Sequence, residues 1–370
     1  MTELKVQLPA LVAPAYSISL GRGLLAEAGA LVVRHRPAGG QVVVITAAPV
    51  RAAWGGMLEA ALAQNGLAAC VLELPDGEPH KNLSQLETLA EAMVASGAGR
   101  DAVVVAFGGG VVGDVAALLA SLYMRGVGLI HIPTTLVAMV DSALGGKTGV
   151  NLAAGKNLLG SFHHPQAMLV DPALLTTLDN RQYRSGMAEA IKYGIIGDAH
   201  LFAYVVEHAA ALAGREPEPL ERMIAACLRQ KAAIVAADER EAGLRRILNF
   251  GHTLGHALES ATAYTRFLHG EAVAWGMLAA TRIAVRMGLC AETEGDRICT
   301  AVLCVCAPLP RLEVEPAELL RHAASDKKTR AGTLHWVLPR AVGKVEVVAG
   351  VPDAVVKLAV RDAVNVAAEA

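Results

Sequence analysis

The sequence predicts an α/β protein in two parts, a parallel sheet with crossover helices followed by a mainly helical region. Strand-like and helix-like segments alternate in the first half, as they do in β-α-β units. Hydrophobic residues make up 54% of the chain and aromatic residues only 4%, with Ala and Val prominent, which suits buried parallel strands. At 370 residues the chain exceeds the usual size of one core. The composition changes near 175–183, so we place the domains at 1–178 and 179–370.

The first elements are predicted from runs of β-branched residues that alternate with amphipathic segments. A strand of this kind is buried on both faces by the helices that follow it. Gly and Pro in the segment after the second strand favour a turn, and Ser84 lies near the start of the helix that follows it. The predicted order is a strand at 41–46, a helix at 51–65, a strand at 68–74, a turn at 75–81 and a helix at 84–96.

The next strand, predicted at 102–107, runs into three glycines and then into a helix that extends to Met124. Such a turn brings backbone N–H groups and a helix N-terminus close to a phosphate, and a β-carbon there would keep the phosphate away. The alternative is that the glycines only make a tight connection between the strand and the helix and bind no ligand. A further strand at 127–132 ends in Pro133-Thr134-Thr135, and ligands of open α/β sheets bind at the carboxyl ends of the strands. The segment therefore predicts nucleotide or phosphate binding.

Residues 140–165 combine charged and amide side chains with many glycines and show little helical period. We interpret this segment as a binding loop, and its two lysines suit an anionic ligand, either a phosphate or a carboxylate. The alternative is a solvated loop with ordinary lysines. The polar residues are Asp141, Lys147, Asn151, Lys156, Asn157 and His163.

Helical period dominates after the predicted boundary. An amphipathic helix from Arg222 to Glu241 carries Lys231, and 334–348 has the pattern of strands. Glu189 and Lys192 share a helix face, and a pair at this spacing is usually a surface ion pair.

Three histidines, His252, His256 and His269, lie within the stretch 249–271. The first two are four residues apart, so a helix projects both from one face, and neutral imidazole is a common metal ligand. The spacing predicts a metal site that includes His252 and His256. The alternative is a polar helix face without a metal.

Charge and cysteine content exclude several classes of function. The net charge of −2 and the absence of a basic run make nucleic acid and an anionic membrane surface improbable partners. The six cysteines form no paired CxxC spacings, which is typical of a reducing compartment. Cys304 and Cys306 could chelate a metal, but no partner ligands lie near them in the sequence. The first residues lack a signal-peptide pattern and no segment is apolar enough to span a membrane, so we predict a cytoplasmic protein.

Several long motifs, in order and in register, make the chain resemble the 3-dehydroquinate synthase family from about residue 40 to 348. A set of this length is far more specific than any single motif. The motifs are DGEPHK (76–81), GGGVVGD (108–114), PTT (133–135), VDSALGGKTGVN (140–151), GKNLLGSFHHP (155–165), RSGMAEAIKYG (184–194), LNFGHTLGHALE (248–259) and LHGE (268–271).

The resemblance implies a Rossmann-like NAD domain and a mostly helical metal- and substrate-binding domain, with catalysis between them. It also implies conversion of 3-deoxy-D-arabino-heptulosonate 7-phosphate to 3-dehydroquinate and phosphate, the second step of the shikimate pathway. In that reaction a transient oxidation by NAD acidifies a neighbouring C–H, phosphate leaves, the hydride returns, and an intramolecular aldol closes the ring. The expected partners are this small sugar-acid phosphate and a second copy of the chain in a homodimer.

The resemblance also implies site residues. The ligands of a zinc or cobalt ion would be Glu189, His252 and His269, whereas His256 would contact the substrate's phosphate. Arg125 would reach the site of the partner subunit. Substrate contacts would come from Lys147, Asn157, Lys192, Lys231, Arg245, Asn249 and His256, with one of Lys327 or Lys328. NAD contacts would come from Asp76, Gly77, Glu78, Lys81, Gly109, Gly110, Val111, Val112, Gly113, Asp114, Thr134, Thr135, Asp141, Lys147, Lys156, Leu174 and Thr177.

Two positions depart from the family's pattern. Ala47 stands where the family often has an Asp that binds the adenosine ribose, so we expect NAD to bind, but less tightly. Leu178-Asp179 replaces a frequent Leu-Pro, at no evident catalytic cost.

Three rival functions are consistent with parts of the pattern. The first is another sugar phosphate cyclase, of the 2-deoxy-scyllo-inosose or valiolone type, which would share NAD, metal and mechanism. The second is an iron-dependent polyol dehydrogenase, which would turn over free NAD. The third is a catalytically silent binding protein on the same fold. The anion-binding residues match the dehydroquinate pattern and so disfavour the first rival, the intact metal set and lysines disfavour the third, and net turnover of NAD would distinguish the second.

Overall fold

A parallel sheet of six strands lies in the first part of the described chain, residues 15–178, which we call the nucleotide half; residues 179–327 and 334–369 are the helical half. From one edge of the sheet to the other, the strands are Ser17–Leu20, Ala167–Val170, Gly128–Pro133, Val103–Gly108, Val42–Thr46 and Ala69–Glu73. The structure is a computed structural model that describes residues 15–327 and 334–369. Every residue of β2 and β4 is buried, as the continuous apolar runs predicted. The strands are β1 (Ser17–Leu20), β2 (Val42–Thr46), β3 (Ala69–Glu73), β4 (Val103–Gly108), β5 (Gly128–Pro133), β6 (Val150–Leu152), β7 (Gly155–Leu159), β8 (Ala167–Val170), β9 (His335–Ala341) and β10 (Lys344–Ala349).

Helices cover the sheet and build the second half, which confirms the predicted fold class. In α4, Asn82 accepts a hydrogen bond from the backbone N–H of Gln85 at 3.0 Å, so Asn82, two residues before Ser84, caps the helix. The helices are α1 (Ala28–His35), α2 (Ala48–Val50), α3 (Gly56–Gln64), α4 (Leu83–Ala95), α5 (Gly110–Leu122), α6 (Asn180–Gly197), α7 (Ala199–Glu207), α8 (Ala209–Ala213), α9 (Pro217–Ala237), α10 (His252–Ala261), α11 (His269–Arg286), α12 (Glu292–Cys306), α13 (Pro316–Lys327) and α14 (Asp353–Glu369).

Two elements differ from the sequence-based expectation. The segment 140–165 contains an antiparallel hairpin, β6 and β7, and is therefore not wholly a loop. The helix expected from Arg222 to Glu241 ends at Ala237, where Asp238 accepts from the backbone N–H groups of Ala242 and Gly243 at 2.9 and 2.8 Å. This carboxylate stabilises a turn instead of a further helical turn.

Helix α11 lies at the centre of the helical half and is buried around most of its circumference. Its glycines allow close approach of its neighbours. A Cβ at Gly270 would lie 1.8 Å from the carbonyl oxygen of Ser185 in α6, and one at Gly276 would lie 1.8 Å from the carbonyl oxygen of Gly251, just before α10. The first residue of α11, His269, is therefore held against α6, and the start of α10, where His252 lies, is held against α11.

No helix among the described residues has the length and hydropathy that a membrane span requires. On α12, Cys304 is exposed and Cys306 is buried, so the two thiols do not face a common site.

Candidate active site

Glu189, His252 and His269 come together where α6, α10 and α11 meet. The Nε2 atoms of His252 and His269 lie 3.6 and 3.4 Å from the same carboxylate oxygen, Oε1 of Glu189. One ligand atom from each residue lies within 4.8 Å of the others. The carboxylate of Glu189 is fully buried. This is the spacing of two imidazoles and one carboxylate around a divalent cation.

The donor atoms fit a metal chemically as well as geometrically. Among the described residues neither carboxylate oxygen of Glu189 accepts a hydrogen bond, although Lys192 forms an ion pair with Oε2. Buried polar atoms are rarely left in this state, and a cation between the three residues would complete their coordination. Both histidines direct Nε2 inward, because their Nδ1 atoms face the carbonyl of Phe250 at 3.1 Å and the carboxylate of Glu259 at 3.3 Å.

Electrostatics keep Glu189 charged and His252 neutral. Burial opposes ionisation of Glu189, but the opposing effects, of which the charge of Lys192 is the largest, outweigh it and lower its pKa to about 2. Burial, reinforced by Lys192, lowers the pKa of His252 to about 3. An ionised carboxylate and a neutral imidazole are the protonation states that metal ligands require. His269 differs: burial opposes its charge, but Glu259 and Glu189 raise its pKa to about 10, so this imidazole must lose a proton when a metal binds.

The pair predicted from spacing alone, His252 and His256, is not the set that the geometry favours. His256 is half-buried, and its ring centroid lies 5.4 Å from that of His252 and 6.0 Å from that of His269. With His269 and Glu259 it forms a second possible cluster. However, both oxygens of Glu259 already have partners, whereas Oε1 of Glu189 faces only the two histidines and has no hydrogen bond among the described residues.

The Glu189–Lys192 pair is buried, so its interpretation as a surface ion pair is wrong. The two side chains are 0% and 1% exposed. Near them Asp141 accepts from the hydroxyl of Tyr193 at 2.7 Å and forms an ion pair with Lys231. Burial opposes the charge of Asp141, but Lys231 and Lys192 hold the pKa of this carboxyl well below its usual range. A buried network of alternating charge therefore extends from the proposed metal ligands towards the nucleotide half.

A second group of cations lies beside this network, and it contains a carboxylate that sequence reasoning missed. Lys147 forms an ion pair with Glu241, which also accepts from Nδ2 of Asn249 at 2.5 Å. Arg245 is 2% exposed and donates from Nη2 to the carbonyl of Gly145 at 3.1 Å. Glu241 belongs to none of the motifs and was expected only as the last residue of an amphipathic helix, so these contacts became apparent only from its position in the turn after α9.

The strand–glycine–helix turn is present where the sequence predicted it, between β4 and α5. A Cβ at Gly109 would approach Cγ2 of Thr135 to 2.9 Å, and one at Gly110 would approach Oγ of Ser142 to 3.1 Å. The first turn of α5 thus stands directly over the end of β5. Val111, Val112 and Gly113 belong to this first turn, and the buried hydroxyl of Thr134 has no hydrogen-bond partner among the described residues.

Lysine side chains connect the other residues of the expected NAD set. Lys81 is buried, and its Nζ lies 2.5 Å from both Oδ2 of Asp114 and Oδ1 of Asn157. Burial raises the pKa of Asp114, against the opposing charge of Lys81. Asn157, expected to contact the substrate, therefore lies within the expected NAD set. Glu78 accepts from Asn151 at 2.8 Å and pairs with Lys156 at 3.3 Å.

The remaining residues of that set flank the sheet. Asp76 is exposed and Gly77 has a φ of 100°, in the turn that precedes Glu78. Leu174 is buried in the core, and the hydroxyl of Thr177 accepts from Nε1 of Trp54 at 2.8 Å. Ala47 is buried directly after β2.

Arg125 is not brought into this group. It is exposed and follows the carboxyl end of α5, whereas the glycine turn is at the amino end of the same helix, about 20 Å away for 13 residues. The side chain of Lys327 and all of Lys328 lie outside the described residues.

Comparison with known proteins gives a consistent result over nearly the whole chain. Residues 71–185 match the model of the 3-dehydroquinate synthase N-terminal domain, and residues 186–329 match that of the C-terminal domain. The 3-dehydroquinate synthase of Koribacter versatilis is 46% identical over 347 residues, 94% of each chain. That of Solibacter usitatus is 47% identical over 350 residues, 94% of this chain and 96% of the relative.

Solved structures of related enzymes share the fold. A 2-epi-5-epi-valiolone synthase from Streptomyces hygroscopicus subsp. jinggangensis, with NAD⁺ and Zn²⁺ bound, superimposes with a TM-score of 0.89 at 32% identity, covering 97% of this chain and 99% of that one. A 2-deoxy-scyllo-inosose synthase, complexed with carbaglucose-6-phosphate, NAD⁺ and Co²⁺, superimposes with a TM-score of 0.84 at 28% identity, covering 93% of this chain and 96% of that one. Both domain models and the near-full-length identity agree that the chain belongs to the 3-dehydroquinate synthase family.

Proposed function

We propose that the chain converts 3-deoxy-D-arabino-heptulosonate 7-phosphate to 3-dehydroquinate and phosphate, using NAD and a divalent metal. The observation that carries this proposal is the buried carboxylate of Glu189, faced by two histidine Nε2 atoms and lacking a hydrogen bond. Family membership supplies the reaction class, and relatives at 46–47% identity are 3-dehydroquinate synthases. Residues 1–178 form the NAD domain and residues 179–370 the metal- and substrate-binding domain.

Glu189, His252 and His269 hold the metal, which is zinc or cobalt. When bound, it supplies Lewis-acid stabilisation for a substrate hydroxyl that loses its proton. Two imidazoles and one carboxylate leave coordination positions open for substrate oxygens. Lys192 keeps the carboxylate ionised through the buried ion pair.

The cations of the helical half bind the substrate's carboxylate and phosphate. Bidentate guanidinium and lysine ammonium groups suit these anions, and the surrounding carboxylates balance their charge before the substrate arrives. His256 is half-buried beside the metal ligands, where it contacts the phosphate and assists its departure. The substrate-binding side chains are Lys147, Asn157, Lys192, Lys231, Arg245, Asn249 and His256, with Lys327 or Lys328 from the segment beyond the described side chains.

The strand–glycine–helix turn binds the pyrophosphate of NAD through backbone N–H groups. When bound, NAD would supply a hydride acceptor that is regenerated within the reaction, so it would not be consumed. Gly109 to Asp114 form the turn, and Thr134 and Thr135 lie at the end of the neighbouring strand. Asp76 to Glu78, Lys81, Asp141, Lys147, Lys156, Leu174 and Thr177 complete the set, and Ala47 offers no carboxylate to the adenosine ribose.

The position of Arg125 supports a homodimer, and the similarity to biosynthetic enzymes supports a location in the cytoplasm. Arg125 is exposed at the far end of α5, so it serves the site of a second copy and not that of its own chain. Analytical ultracentrifugation tests the oligomeric state, and loss of activity in Arg125→Ala with intact metal and NAD binding tests this role. A fully active monomer contradicts both.

Another sugar phosphate cyclase is the second candidate, because a valiolone synthase superimposes with a TM-score of 0.89. The sequence identities favour the first candidate, because the chain is 46% identical to a 3-dehydroquinate synthase and 32% identical to the valiolone synthase. The two differ in whether the substrate carries a carboxylate, so side-by-side assays with a sugar phosphate that lacks the carboxylate separate them.

The experiment is phosphate release from the heptulosonate phosphate with catalytic NAD, before and after dialysis against a chelator and again after Zn²⁺ is restored. The proposal expects metal-dependent release without net NADH. Net NADH indicates a dehydrogenase. No release from a protein shown to bind both metal and NAD, together with release from glucose 6-phosphate, rejects the proposed substrate.

A further inference from the structure

The carboxylate of Glu259 has no role among the proposed ligands, although it is 2% exposed and lies beside them. It follows His252 by seven residues, so both side chains lie on the same face of α10. Burial of a carboxylate is costly unless it is paired on all sides. The pairing of Glu259 therefore indicates what it does.

Each oxygen of Glu259 has a partner among the described residues. Oε2 lies 3.3 Å from Nδ1 of His269, and Oε1 accepts from Nζ of Lys156 at 2.9 Å. The imidazole of His269 thus bridges two carboxylates, since its Nε2 lies 3.4 Å from Oε1 of Glu189. Contact at Nδ1 orients the ring so that Nε2 faces the metal position.

The two proposed histidine ligands are oriented by different kinds of acceptor. For His252 the acceptor is a backbone carbonyl, that of Phe250 at 3.1 Å, two residues away in the chain. For His269 it is a side chain on another helix, and that side chain is itself held by a third segment. The orientation of His269 therefore depends on distant residues, whereas that of His252 is local.

Lys156 links this arrangement to the nucleotide half. It lies in β7 and is 20% exposed, and besides Glu259 it pairs with Glu78 at 3.3 Å. Its Nζ also lies 5.0 Å from the centroid of the Tyr264 ring. One lysine thus connects the turn that precedes α4 with the end of α10, and a contiguous chain of contacts runs from Glu78 to His269.

We infer that Glu259 is a positioning residue for His269, and that Lys156 holds Glu259 in place, so that metal affinity depends on a residue of the nucleotide half. The inference rests on the proposed metal site. It differs from the alternative in which Glu259 is itself a ligand together with His256 and His269, because in that arrangement Glu259 must give up a partner that it already has.

Titration of the apoprotein with Co²⁺ against a competing chelator, followed by its visible absorption, tests the inference without an activity assay. Loss of a carboxylate that orients a metal-bound histidine typically weakens metal affinity by about 10- to 100-fold, and we expect this range for Glu259→Gln. Lys156→Met should weaken affinity less, by about 10-fold or below. If Lys156 acts only through Glu259, the double variant should match Glu259→Gln and the effects should not multiply.

Glu271→Gln is the matched control, because Glu271 is also a buried carboxylate near His269. It accepts from the backbone N–H of Leu268 at 2.8 Å and pairs with Arg181, and Gln can retain the helix-capping bond. Its Co²⁺ affinity should equal that of the wild type. A loss equal to that of Glu259→Gln shows that any buried carboxylate change near α11 has this effect, and overturns the inference.

His252→Ala separates this inference from the proposed metal site. If His252→Ala loses Co²⁺ and Glu259→Gln binds as the wild type does, the positioning role is wrong and the metal site stands. If His252→Ala retains wild-type affinity, the metal site itself is wrong. A loss in Glu259→Gln as complete as that in His252→Ala makes Glu259 a ligand, which also overturns the positioning role. Should Glu259→Gln fail to fold, Lys156→Met at a partly exposed position provides the same test: weaker Co²⁺ binding supports the inference and wild-type binding rejects it.

Discussion

The two halves of the molecule prepare their sites by different means. In the nucleotide half, the turn between β4 and α5 is made of glycines, and what it offers to a ligand is backbone. In the helical half, charged side chains are buried in pairs, such as Glu189 with Lys192, and what they offer is charge. A backbone site needs only a short stretch of sequence, whereas a buried charge needs a partner from elsewhere in the chain.

This difference indicates which kind of substitution would disrupt the site in each half. A backbone site fails when a side chain is added, because atoms already touch the glycine positions. The buried charged pairs of the helical half, which we call the charge site, lose their arrangement when one side chain is removed, because its partner is left buried and unpaired. The four predictions that follow test this contrast, in order of decreasing effect.

Glu189→Gln removes the charge on which the helical half depends. We expect loss of bound metal and a fall in kcat of about 1,000-fold, equivalent to about 4 kcal/mol of transition-state stabilisation. Metal content after dialysis and phosphate release measure this. The single substitution leaves Lys192 buried without its partner and could therefore prevent folding. The double variant Glu189→Gln, Lys192→Met removes both charges and serves as the folding control. A variant with full activity after chelation contradicts the metal assignment.

His256→Ala separates metal binding from phosphate binding within the helical half. The metal should stay, because His256 is not among the proposed ligands, whereas kcat for phosphate release should fall by about 100-fold through loss of a proton donor. Zinc analysis and the phosphate assay are run on the same sample. Loss of the metal instead would restore the pair of His252 and His256 as ligands.

His131 tests whether the nucleotide half tolerates a buried charge. It is 6% exposed on β5, and burial, with a smaller effect of His163, lowers its pKa to about 4. Because the unfolded chain binds this proton near the ordinary value of 6.5, the stability due to the neutral ring is complete above pH 6.5 and is lost as the pH falls towards 4. Of that stability, about 2 kcal/mol should be gone by pH 5.

Urea unfolding of the metal-free protein at pH 7 and pH 5 measures this effect. The loss should be about 2 kcal/mol smaller in His131→Gln than in the wild type, because buried His252 keeps its own pH dependence in the metal-free protein. His200→Gln, at an exposed position of α7, should behave as the wild type. Equal pH dependence in all three proteins shows that His131 is not responsible.

Gly109→Ala adds one methyl group to the backbone site. Its Cβ would approach Thr135 to 2.9 Å, so α5 or β5 must shift where the pyrophosphate is proposed to bind. We expect NAD affinity to fall by about 10-fold, with Co²⁺ affinity unchanged. Calorimetric titration with NAD measures the change, and Gly99→Ala, with open space around it, is the control. Equal NAD affinity in both variants counts against a backbone site at this turn.

The fold class and the backbone site could be predicted from local patterns in the sequence. Uninterrupted apolar runs predicted β2, β4 and β5, and the glycines after β4 predicted the turn into α5. The motifs then identified the family. The hairpin of β6 and β7 was not predicted, because its short strands are partly exposed and have no apolar run.

The charge site was decided by tertiary structure. Locally, Glu189 indicates only a helix-surface ion pair, and the spacing of His252 and His256 points to a different pair of ligands from the one that the geometry favours. Both are resolved because glycines let α6, α10 and α11 approach until Glu189, His252 and His269 share one position. The motif resemblance already implied these three ligands, but the contacts of Glu241 and Glu259 with the site residues are visible only in the tertiary structure. Partners of buried charges are chosen by proximity in space, which no local pattern in the sequence records.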